Sequence, residues 1–142
     1  MEDESLFKLL DEPFILAILM GNIKYGAWKI DAFTDEITIS MPYLTKRALC
    51  NICTKFDLPI NSESDMQTRE KLFSSLLHHC IQNNSTSSLL SFLFSKKQFL
   101  EEIRHLNRNA IDWAHQELTF YIIEEINKTL HFYDCELRRT GE

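Results

Sequence analysis

The chain is 142 residues long, carries a formal net charge of −6, and is 44% hydrophobic and 25% charged. That length fits one domain with its own core, and the composition is that of ordinary globular proteins. The acidic balance opposes general binding to a duplex phosphate backbone. Three glycines and three prolines are too few for the many turns of a β-sandwich or barrel.

Leu6, Phe7, Leu9 and Leu10 open an amphipathic pattern that Pro13 interrupts. Pro13 suits the first turn of a second helix, where its missing N–H is not needed. The apolar run from Pro13 to Met20 is far shorter than the ~20 residues of a membrane-spanning helix. The acidic start MEDESLF is unlike a signal peptide. The expected location is therefore the cytoplasm, without membrane association and with reduced cysteines. Gly21 and Asn22 are helix stop signals. The stretch from Ile23 to Phe33 reads either as a short helix or as a strand with a kink at Gly26. Ile37, Ile39 and Met41 alternate with Thr38 and Ser40, the period of a half-buried strand over about 36–41.

After Pro42 a helix is expected, with Leu44, Ala48, Leu49, Ile52, Cys53 and Phe56 on one stripe. A polar loop spans Asp57 to Asp65. A helix follows from about Thr68 to Gln82, then a loop rich in capping residues over Asn83 to Ser88. LLSFLF (Leu89 to Phe94) and QFLEEI (Gln98 to Ile103) read as short helices. Asn107 or Asn109 caps a long final helix striped by Ile111, Ala114, Leu118, Tyr121 or Ile122, Ile126 and Leu130. Cys135 and Leu137 then alternate with Glu136 and Arg138, a strand over about 134–139. The expected fold is mainly α: one compact multi-helix domain over 1–142 with a small two-stranded β element joining 36–41 to 134–139.

Two side-chain constellations are candidates for chemistry. Arg108 and His115 are seven residues apart in RNAIDWAH and share a helix face. A histidine moves protons near neutral pH and an arginine holds phosphate through two hydrogen bonds, so the pair matches the arginine–histidine spacing of HEPN-class ribonucleases. Against this, His115 sits at the edge of the apolar stripe, where a histidine is more often a hydrogen-bonded structural residue. Cys50, Cys53, His79 and Cys80 are ligands of the right type for zinc. However, Cys50 and Cys53 fall mid-helix, without the turn of a zinc knuckle, and buried reduced thiols are the better reading. The sequence has no phosphate-cradling glycine loop, no GxSxG and no HExxH, and no cofactor is expected. LLSFLF and FYIIEEI are either core or a partner surface.

The stretches ISMPYLTKRALCNICTKFDLP (Ile39 to Pro59), LLSFLFSKKQF (Leu89 to Phe99) and EINKTLHFYDCELRRTG (Glu125 to Gly141), in this order, resemble the AbiJ-type N-terminal domain of bacterial abortive-infection and antiphage proteins. The resemblance covers about Ile39 to Gly141 and rests on a pattern, not a catalytic signature. It implies an accessory module that precedes a HEPN or TIR-like effector domain and acts in sensing, regulation or oligomerisation. No catalytic residue carries over. The expected function is a non-enzymatic module coupling a trigger, a phage component or a nucleotide, to that effector through an apolar face completed by homodimerisation. The competing readings are a small metal-independent ribonuclease using Arg108 and His115, and a scaffold or toxin-neutralising partner. Polar residues of the 57–65 loop are candidates for contact.

Overall fold

A computed structural model describes residues 7–29, 36–59, 68–106 and 108–138. A 3-10 turn (Lys8–Asp11) leads into α1 (Pro13–Leu19), then strands β1 (Ala27–Lys29) and β2 (Glu36–Thr38). Helices α2 (Lys46–Lys55), α3 (Arg69–Gln82), α4 (Thr86–Leu93), α5 (Lys96–Ile103) and α6 (Arg108–Leu130) follow, and a second 3-10 turn (His131–Tyr133) closes the series. The protein is mainly helical with a small two-stranded antiparallel sheet.

The helix starts follow from local chemistry. Pro13 occupies the first turn of α1, and the Glu12 carboxylate accepts from the Ile15 N–H at 3.0 Å. Thr45 and Thr68 cap α2 and α3 by accepting from the Ala48 and Lys71 N–H groups at 3.0 and 3.1 Å, satisfying donors that a helix leaves open at its first turn. The stops use an unexpected residue type. Asp57, Asn84 and Asp134 take the left-handed conformation, with φ of 63°, 55° and 56°. In each case the following amide reaches back to the last turn: Leu58 to Cys53 O, Ser85 to Cys80 O and Cys135 to Leu130 O, at 2.8, 2.8 and 3.1 Å. These are helix terminations of the kind glycine usually makes, with Asp and Asn standing in because their short polar side chains tolerate that conformation. α4 begins at Thr86, inside the segment expected to be loop, since the Asn84 turn reverses the chain quickly.

Long helix α6 packs against α1 and α5, while α3 packs against α1, α2 and α4. Among the described residues Phe73 and Phe99 are the largest fully buried side chains. The predicted stripe of α6 holds: Ala114, Leu118, Ile122, Ile126 and Leu130 are buried. An arginine staples the N-terminal half to this body. Arg69 Nε donates to Leu44 O at 2.7 Å, a terminal nitrogen donates to Met20 O at 3.3 Å, and the guanidinium lies over the Tyr43 ring at 4.1 Å. One planar fork thus ties the end of α1 to the entry of α2.

The strand over 36–41 is real in its alternation, for Ile37, Ile39 and Met41 are all buried. Its expected partner is not. β2 pairs antiparallel with β1, matching Ala27 to Thr38, Trp28 to Ile37 and Lys29 to Glu36. The Tyr25 and Ile39 amides extend the pairing to Ile39 O and Gly26 O, each at 2.8 Å. The C-terminal segment expected over 134–139 is instead non-strand over 135–138. Its backbone is met by one side chain: the buried Asn127 donates from Nδ2 to Leu137 O at 3.1 Å and accepts from Leu137 N–H at 2.7 Å. The carboxamide offers the donor–acceptor pair that a neighbouring strand would have offered, so the segment docks on α6 and leaves β2 to the hairpin.

Asn127→Leu is expected to leave the Leu137 N–H and C=O without partners, at roughly 1–3 kcal/mol for the segment's attachment. Hydrogen exchange checks it: the Leu137 amide should lose protection while the amides of α3 keep theirs.

Candidate functional site

His115 lies two turns into α6, and its ring is fixed from two sides. Nε2 bonds the carbonyl of Phe94, the residue that closes α4, at 2.7 Å. Phe99 of α5 meets the ring edge to face, with centroids 5.4 Å apart and planes at 64°. A carbonyl oxygen only accepts, so Nε2 must carry hydrogen, and the neutral imidazole keeps its lone pair on Nδ1. Asp112, one turn earlier, is ion-paired to Lys96, and the hydrogen bond from that lysine holds its carboxyl below the usual range.

Beside His115 opens a cleft of about 500 Å³. α4 supplies Ser87, Leu90, Ser91 and Phe94, and Ser95 follows at the turn into α5. α6 supplies His115, Thr119 and Ile123; Phe7 and the C-terminal pair Leu137 and Arg138 complete the wall. The inner part is half-buried or buried, whereas Ser87, Ser91 and Arg138 stand exposed at the mouth. Arg138 is not a free cation, since its Nε donates to the Glu136 carboxylate at 2.7 Å. A polar and apolar lining around a volume of this size is the usual character of a small-molecule site.

Arg108 does not join it. It is the exposed first residue of α6 and is absent from the cleft wall, and it makes no hydrogen bond or ion pair among the described residues. Seven residues of helix put it about 10 Å from His115 along the axis. The structure therefore places the two RNAIDWAH candidates on one helix without gathering them in one cleft.

Comparison with protein-family models, with curated proteins and with solved structures finds no match. What the site can do rests on its own geometry.

The second constellation comes together only in part. Cys53 and Cys80 are buried where α2 meets α3, and Cys50 lies at the edge of the same packing. His79 turns away: its Nε2 donates to Phe56 O at 2.9 Å, and Asn83 Nδ2 donates to its Nδ1 at 3.4 Å. Among the described residues no group of three or more His, Cys, Asp or Glu is arranged to hold a metal. Burial, with smaller contributions from Cys50 and Cys80, pushes the Cys53 thiol up to about 11, so it is a poor nucleophile. In the native protein an alkylating reagent at pH 8 should label the half-buried Cys50 and Cys135 first. Cys53 and Cys80 should react only as the protein unfolds, which peptide mass mapping over a time course would show.

Most of the 57–65 loop lies outside the described residues. The aromatic runs divide. Leu89, Leu93, Ile122 and Ile123 are core, whereas Phe120 is 61% exposed and Trp113 47%. With exposed Glu117 and Glu124 these two rings form an outer stripe on α6, opposite its core face. Trp113 leans on Trp28 at 6.3 Å and Tyr121 on both Trp28 and Tyr25, at 5.9 and 5.6 Å, which closes the hairpin over the helix.

The cleft itself was missed by sequence reading. Its one local signal is Ser87, Ser91 and Ser95, spaced by four, which puts three hydroxyls along one side of α4 and its exit. Phe7, His115 and Arg138 arrive from distant parts of the chain and carry no mutual signature.

Proposed function

We propose that this protein is a non-enzymatic sensor or regulatory module that binds a small ligand in the cleft between α4, α6 and the C-terminal segment. One observation carries the reading: Leu137 and Arg138 form part of the cleft wall, and the Asn127 side chain clasps Leu137 from α6. A ligand in the cleft touches that segment directly, so occupancy and the position of the segment are coupled by shared contacts. The resemblance to AbiJ-type N-terminal domains agrees with this role. In such a setting the ligand is the trigger of an antiphage system, and the segment leads toward a HEPN or TIR-like effector domain. His115 serves as a binding residue, with one nitrogen committed to the fold and the other facing recognition.

The ribonuclease reading demands more than the geometry supplies, since Arg108 stands outside the cleft. Two measurements separate the readings. First, melting temperatures are taken over a panel of uncharged heterocycles, nucleosides and nucleotides, with the parent and with Ser91→Trp, which sets an indole across the mouth. A compound that binds the native cleft raises the melting temperature of the parent and not that of the variant. Second, labelled RNA is incubated without metal. Cleavage by the parent that disappears in folded His115→Ala and Arg108→Ala proteins would overturn the binding reading and make RNAIDWAH an active site.

A further inference from the structure

We infer that the cleft recognises a flat, uncharged heterocycle that brings two N–H donors along one edge, and that its inner wall excludes phosphate and other anions. This rests on the reading of the cleft as a binding site, and it comes from following each polar hydrogen on that wall. His115 commits its Nε2 hydrogen to Phe94 O at 2.7 Å. Ser95 commits its hydroxyl hydrogen to Phe92 O, also at 2.7 Å. The Thr119 hydroxyl donates to His115 O at 2.9 Å, with Gln116 O close by at 3.1 Å. Every one of these acceptors is a backbone carbonyl, which cannot donate in return. In the tautomer that Phe94 O selects, the inner wall presents lone pairs: Nδ1 of His115 and Oγ of Ser95. Ser95 follows Phe94, the residue that receives His115, so the two acceptor-bearing residues are neighbours in the cleft wall.

An anion placed there would lose its water and face lone pairs, an uncompensated burial that is strongly unfavourable. Among the described residues the one arginine or lysine of the wall is Arg138, which is exposed at the mouth and already paired with Glu136. Around the two acceptors the wall is apolar, with Leu90, Phe94, Ile123 and Leu137, which suits the faces of a planar ring. A volume of about 500 Å³ is ample for a bicyclic molecule. Donors that meet both acceptors recover the hydrogen bonds that water makes in the empty site, and a ring of the same shape without donors leaves them unmade.

The test uses two probes of nearly one shape. 2-Benzimidazolinone carries two N–H donors, and its 1,3-dimethyl derivative carries none. Each is titrated into the ¹⁵N-labelled protein and followed by the backbone amides of residues 94–96 and 115 and by the His115 Nδ1 resonance. The expected result is that the donor probe binds at least about tenfold more tightly than the dimethyl probe, the worth of one to two hydrogen bonds. It should also move the Nδ1 resonance, and phenyl phosphate should leave the inner wall untouched. Ser95→Ala is expected to weaken the donor probe several-fold and leave the dimethyl probe unchanged, and it avoids the folding risk of replacing His115. Equal binding of the two probes, or phenyl phosphate binding at the inner wall, overturns the inference. So does a silent Nδ1 resonance. If the donor probe fails while other compounds raise the melting temperature of the parent and not of Ser91→Trp, the ligand class is wrong and the binding module stands. If no compound does so, both fall.

Discussion

Gly21→Ala is expected to lower stability by on the order of 4 kcal/mol, combining left-handed backbone strain with steric overlap. Gly21 sits at the end of α1 with φ of 78°, a conformation that costs any residue with a Cβ. An added Cβ would also fall 2.7 Å from Pro42 C and 2.6 Å from Tyr43 Cα, and closer still to Pro42 O. These are backbone atoms, so no side chain can swing aside. They belong to the crossing that Arg69 staples and that the Leu44 amide closes on Met20 O at 3.0 Å. Any shift made to admit the methyl would strain those bonds as well. Gly26→Ala is the control. Gly26 has φ of 110° and open space where its Cβ would be, so it carries the strain without the overlap. Urea unfolding of both variants checks the argument: Gly21→Ala should lose substantially more than Gly26→Ala, and equal losses would remove the overlap from the account.

Phe99→Ala is expected to cost roughly 3–5 kcal/mol, the range for truncating a buried phenylalanine. The ring is fully buried in α5 and is also the edge-on support of the His115 imidazole. The substitution therefore removes core volume and loosens the ring that forms one end of the cleft. Phe99→Leu separates the two effects. It restores much of the volume and should recover a large part of the stability, but it offers no aromatic face to hold the imidazole. Denaturant midpoints give the first quantity. The His115 ring resonances, narrow in the parent and broadened or shifted in Phe99→Leu, give the second.

The parts of this fold that were legible in the sequence are those decided within a few residues. Pro13 and Thr68 each fix a helix start through one local bond or one missing donor, whereas the helix expected to include Leu44 begins only after the Thr45 cap. The alternation of Ile37, Ile39 and Met41 follows from the two-residue period of an extended chain with one buried face. The helix ends were harder to see because Asp57, Asn84 and Asp134 perform a turn that is usually marked by glycine. Alternation also identifies an extended segment without identifying its neighbour. Residues 135–138 show it as well as β2 does, yet their partner is the Asn127 side chain, which no periodicity announces. α6 was legible as a helix but not in its exposure, because Trp113 and Phe120 give it apolar residues on the outer face too. Of the site, His115 stood out by type, whereas its tautomer depended on Phe94, a residue whose approach only the tertiary fold decides.

His79 and His115 share one device: each sends its Nε2 hydrogen to the carbonyl of a phenylalanine that caps an earlier helix, Phe56 or Phe94. That hydrogen is present whether the imidazole holds one proton or two. The ends of α2 and α4 are thereby tied to the flanks of α3 and α6 through one ring each, so two imidazoles set where those shorter helices stop against the longer ones.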